Sequence, residues 1–83
     1  MMRNIEKYRN AFINALDLED GVVVEDLALG ESPDWDSIGH MTLIAVIEDE
    51  FDVSIDSEWI TEFNSYQSGM ELLNRLGVDF INE

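Results

Sequence analysis

The 83-residue sequence predicts an all-α fold: a small four-helix bundle, three main helices plus a short third helix, with a long loop between helices 1 and 2. Three observations carry this. Apolar residues recur at three- and four-residue spacing in separate stretches of the chain. The one tempting β run, Val22-Val23-Val24, has no partner run elsewhere, and a lone strand would leave its backbone unpaired. No repeat, linker or low-complexity segment divides the chain, so residues 1–83 read as a single domain.

Ile5, Tyr8, Phe12 and Leu16 form one stripe, with polar residues between them, predicting a helix from about Arg3 to Asp17 that Asp20-Gly21 stops. Residues 18 to 35 read as an irregular connection whose valines, with Leu27 and Leu29, are pinned onto the core. Gly30 and Pro33 keep it extended. A second helix starts at Asp36 or Ser37, either of which can cap its first turn, and runs to Phe51. Its core stripe is Leu43, Ile44, Ile47 and Phe51, with Val46 beside it. After a turn at Asp52–Ile55, a short third helix is expected from Ser57 to about Phe63, with Trp59, Ile60 and Phe63 inward. Ser65 or Ser68 begins a fourth helix through Met70, Leu72, Leu73 and Leu76, which Gly77 ends. Val78, Phe80 and Ile81 form an apolar tail expected to fold back.

Composition narrows the function classes. Without cysteine there is no disulfide framework, thiolate metal site or cysteine nucleophile. Net charge is −15, and sixteen Asp and Glu fall between Arg9 and Arg75 with no Lys or Arg among them. Such a surface repels nucleic-acid phosphates and anionic lipid, and attracts basic protein patches. The longest strictly apolar run, Leu43 to Ile47, is too short to cross a bilayer, and the N-terminus lacks a signal peptide's apolar stretch. The expectation is a cytoplasmic monomer that binds neither nucleic acid nor membrane.

Candidate sites centre on Asp36-Ser37. Nucleophilic catalysis there needs a base, and His40, the only histidine, lies one helical turn away. No oxyanion donor or cleft is evident, so His40 reads as a solvated surface histidine and the chain as no enzyme. Asp34, Asp36 and Gly39 match positions one, three and six of a helix-loop-helix calcium site, but Ile38 and Ala45 stand where two further ligands belong. No metal site is expected. Trp35 is either an exposed recognition aromatic or, as loop tryptophans more often are, packed on its own domain. Glu48-Asp49-Glu50 reads as a solvated helix end.

Asp36-Ser37-Ile38, then Leu43, Ile47-Glu48-Asp49-Glu50-Phe51 and Ile55, followed by a short acidic helix and a last helix, resembles the acyl carrier protein of the phosphopantetheine-binding family. The likeness covers essentially the whole chain and is closer to stand-alone bacterial carriers of specialised pathways than to the housekeeping fatty-acid carrier. It implies that Ser37 receives 4′-phosphopantetheine from coenzyme A through a phosphopantetheinyl transferase. Intermediates would then ride as thioesters on the arm's thiol. It implies that Asp36, Glu48 and Asp49 meet basic docking patches on acyl-loading and acyl-transferring enzymes. Ile38, Met41 and Ala45 would supply the apolar part of that contact, and Val46, Ile60, Phe63 and Tyr66 match positions that surround an acyl chain in related carriers. Thr42 departs from the acidic residue that fatty-acid carriers often place there, and Phe63 and Tyr66 are bulkier than usual. An acidic helical adaptor of the same fold, never carrying the arm, is the competing expectation.

Overall fold

Apolar spacing and local termination chemistry set each helix in the computed structural model, which describes residues 3–80. The helices are α1 (Asn4–Ala15), α2 (Ser37–Phe51), α3 (Ser57–Ile60) and α4 (Tyr66–Arg75), and a 3₁₀ turn at Val24–Asp26 interrupts the loop between α1 and α2. Among the described residues no strand forms; one isolated antiparallel bridge joins Ala28 to Ser65. The protein is a small all-α bundle, as its sequence predicts.

Two boundaries differ from expectation. α1 ends at Ala15, before Asp20-Gly21 is reached, because Asp17 turns left-handed at φ 51° and Leu18 N–H reaches the Ile13 carbonyl at 3.1 Å. α2 closes with the same device: Asp52 sits at φ 53° and Val53 N–H bonds the Glu48 carbonyl at 3.2 Å. α3 stops at Ile60 rather than Phe63, and the chain turns so that the Phe63 ring enters the core. Asn64 then presents its carbonyl to Leu29 N–H at 2.9 Å. Trp59 and Ile60 are only half-buried.

The interior is dominated by rings. Tyr8, Phe12, Trp35 and Phe63 are completely buried and Tyr66 nearly so. Tyr8 lies 5.1 Å from Phe12 and 4.8 Å from Tyr66, centroid to centroid, and Phe12 meets Trp35 edge-on at 5.2 Å. Each such burial contributes about 1.5–3 kcal/mol before the entropy of ordering is set against it. Tyr8 also donates its hydroxyl to the Tyr66 carbonyl at 2.6 Å, fastening α1 to the start of α4. Burial, and secondarily the neighbouring Tyr66, push the Tyr8 phenol well above its ordinary range.

Of the loop valines, Val24 is buried and Val22 half-buried, but Val23 is 54% exposed because the 3₁₀ turn aims it outward. Arg9 pairs with Glu25, joining α1 to that turn. Glu25 is held below the usual carboxylate range chiefly by a backbone hydrogen bond, with Arg9 adding to the effect. The tail does fold back: Val78 is buried and Phe80 packs on Tyr8 and Phe51 at 5.4 and 6.1 Å. Ile81 lies outside the described residues. No helix among the described residues is long and apolar enough to cross a membrane.

Candidate functional site

At the start of α2 a division of labour leaves one hydroxyl free. Asp36 is the N-cap: its Oδ1 accepts from Gly39 N–H at 2.7 Å, supplying the partner that a first-turn donor lacks. Ser37 is therefore the first helical residue rather than the cap. Its side chain is exposed and its Oγ has no hydrogen-bond partner among the described residues. A Cβ on Gly39 would lie 3.2 Å from Asp36 Oδ1, so glycine there lets the carboxylate close over the helix end.

Beside Ser37 opens a groove of about 520 Å³. Its walls are Leu29 and Gly30 of the loop, Asp36, Ser37, His40 and Met41 at the start of α2, and Ile60 and Thr61 at the end of α3. Its volume lies within the range typical of small-molecule sites. An exposed hydroxyl beside a mostly apolar groove leaves room for a phosphodiester on Ser37 followed by a slender chain.

His40 is not the solvated residue expected of it. It is 5% exposed, and both ring nitrogens are engaged. Trp35 Nε1–H donates to Nδ1 at 3.0 Å, and since an indole nitrogen can only donate, the imidazole proton sits on Nε2. Nε2–H then donates to the Ile60 carbonyl at 2.7 Å. The periodicity holds the signal that identifies this: positions 40, 43, 44 and 47 share i, i+3, i+4, i+7 spacing, so His40 extends the core stripe of Leu43, Ile44 and Ile47 by one turn. With both nitrogens committed, His40 is not placed to serve Ser37 as a base. Trp35, completely buried, packs on its own domain.

Further along α2, Ile38 is 80% and Met41 56% exposed; Ala45 and Asp49 are also exposed, on the same side by their spacing. Thr42 is exposed and bonds back to the Ile38 carbonyl at 3.2 Å. Glu48 differs from its acidic neighbours. It is half-buried, and its Oε2 accepts from Ile55 N–H at 2.8 Å, bracing the turn after α2. The residues matched to an acyl-chain lining are not assembled around one space. Val46 lines a cavity of about 120 Å³ with Lys7, Asn10, Ala11, Asn14 and Glu50, whereas Ile60 lines the groove at Ser37. Phe63 and Tyr66 are locked among the core rings.

The calcium-type alignment does not form a loop, because Ser37 to Phe51 is helix. Among the described residues no three His, Asp or Glu side chains cluster so as to hold a metal. No family model matches this chain, and neither a curated protein nor a solved structure matches it.

Proposed function

We propose that the chain is a discrete acyl carrier protein. Ser37 accepts 4′-phosphopantetheine, and acyl or related intermediates are delivered to partner enzymes of a biosynthetic pathway. The observation that carries this reading is the exposed, unpartnered Ser37 hydroxyl at the head of α2 beside an apolar groove, with Asp36 relieving it of the capping role. In attachment, Ser37 Oγ forms a new O–P bond to the pantetheine-side phosphorus of coenzyme A as the diphosphate P–O bond to the adenosine half breaks. Adenosine 3′,5′-bisphosphate departs, and the hydroxyl proton passes to the transferase. When bound, the arm supplies the thiol on which cargo travels as a thioester. The chain's own contribution is presentation: Ile38, Met41 and Ala45 offer partners an apolar strip, and Asp36 and Asp49 flank it with negative charge suited to basic docking patches.

Intact mass after incubation with coenzyme A, magnesium and a promiscuous phosphopantetheinyl transferase tests the reading. A gain of one phosphopantetheinyl unit, abolished by Ser37→Ala, is expected; folded, unmodified protein that gains no mass overturns it. One observation favours a second reading. Ile38 and Met41 are exposed whether or not an arm is present, so an acidic adaptor would use the same strip. Partner binding that survives Ser37→Ala and disappears in Ile38→Asp would select the adaptor.

A further inference from the structure

We infer that His40 is a positioning residue for modification of Ser37. In its Nε2–H tautomer it ties the loop before Ser37 and the end of α3 to α2, and so holds the acceptor serine and the groove beside it in one geometry. The inference rests on the reading of Ser37 as the arm's acceptor.

Three elements converge on this ring. From the loop, the Trp35 indole donates to Nδ1; from α3, the Ile60 carbonyl accepts from Nε2; the imidazole itself stands one turn after Ser37 on α2. Trp35 passes the constraint outward. Its carbonyl accepts Gly30 N–H at 3.1 Å and its own N–H donates to Ser32 at 3.0 Å, so the Leu29-Gly30 wall hangs from the residue that His40 holds. Leu29 N–H in turn bonds the Asn64 carbonyl at 2.9 Å, closing the frame beyond α3. The three segments that line the groove thus meet at one side chain, which lines the groove itself.

The geometry is specific to a side chain that accepts on one atom and donates from another. An apolar replacement would leave the completely buried Trp35 indole N–H and the Ile60 carbonyl without this partner. A buried unpaired donor drives rearrangement of what surrounds it. The surroundings free to move are the groove walls and the loop leading into Asp36-Ser37. A displacement of about an ångström at a reacting group can lower a rate on the order of a hundredfold.

The test compares arm transfer to wild type, His40→Leu, His40→Gln and Trp35→Phe over a range of carrier concentrations, with ¹H–¹⁵N spectra of each unmodified protein. His40→Leu should keep the α4 amide signals of Leu72 and Leu73, shift those of Gly30, Ser37 and Thr61, and lower kcat on the order of tenfold to a hundredfold. KM should change little, since Ile38 and Met41 remain exposed for docking. Gln, able to accept and donate at once, should restore most of the rate. Trp35→Phe should show a similar loss, and combining it with His40→Leu should add little further loss. The imidazole of the wild type should carry its proton on Nε2. A folded His40→Leu protein loaded at the native rate overturns the inference, as does an Nδ1–H tautomer. If His40→Leu does not fold, native-rate loading of Trp35→Phe overturns it. Wild type that takes up no arm would overturn the carrier reading and the positioning role with it, a failure recognisable because every variant would share it.

Discussion

α2 and α4 both begin beside a serine, and the two serines do opposite things. At α4, Ser65 is the N-cap: its Oγ accepts from Ser68 N–H at 3.1 Å while Ser68 Oγ accepts from Ser65 N–H at 3.0 Å. Both hydroxyls are spent on the backbone, and Tyr8 further pins this helix start through the Tyr66 carbonyl. At α2, Asp36 caps from one position earlier and Ser37 stays exposed. A serine thus becomes chemically available when its neighbour takes over the structural task. The contrast extends one turn inward. A Cβ on Gly69 of α4 would collide with the Phe63 ring and the Tyr8 hydroxyl, whereas one on Gly39 of α2 would meet a Leu16 methyl at 2.8 Å and the capping Asp36 carboxylate at 3.2 Å. The start of α4 is built into the core; the start of α2 is built on a rim that can receive something.

The largest expected break in this contrast is Gly69→Ala. Two rigid core rings stand in the way of the added methyl, so urea unfolding should show a loss of about 3 kcal/mol, against about 1–2 kcal/mol for Gly39→Ala, which presses on one Leu16 methyl and on the Asp36 cap. Next is alkaline pH. The folded protein keeps the Tyr8 proton to higher pH than the unfolded chain, whose phenol ionises near 10.0. Stability should therefore be complete below that value and fall above it by up to about 1.4 kcal/mol per pH unit. Tyr8→Phe should flatten that alkaline slope in pH-dependent denaturation. Ser65→Ala should lose about 1 kcal/mol, the usual worth of a cap, and leave arm uptake intact. Ser37→Ala should do the reverse, changing stability by less than about 0.5 kcal/mol while abolishing uptake. Equal thermal shifts for the two serine variants would erase the distinction. The smallest effect belongs to Asp52→Gly. Removing a left-handed non-glycine residue and a negative charge from the C-terminus of α2 should raise the melting temperature slightly, by the equivalent of about 0.5 kcal/mol.

Much of this is legible in the sequence. The i, i+3, i+4 stripes place α1, α2 and α4, and the α4 stop at Gly77, with φ 101° and Val78 N–H on the Leu73 carbonyl, follows from local chemistry. Asp36-Ser37 at a helix start is equally local. Where local reasoning failed, a long-range contact had intervened. α3 ends early because Phe63 is drawn into a core made by α1 and the loop. From sequence His40 reads as solvated because it stands near an exposed helix end. Its burial depends on Trp35 from the loop and Ile60 from α3 closing over it. Glu48 reads in sequence as one of the outward acids, and its bond to Ile55 N–H exists only once the chain has turned back.

The sequence by itself determined the all-α class, the acidic surface and the position of a serine at the head of α2, because periodicity, charge and capping act over a few residues. The tertiary structure alone decided that Ser37 opens onto a groove, that His40 joins the three segments around it, and that Phe63 and Tyr66 sit closed within the core rather than lining a chamber. Those outcomes depend on how side chains from distant segments share one small volume. Close packing makes each position there conditional on all the others.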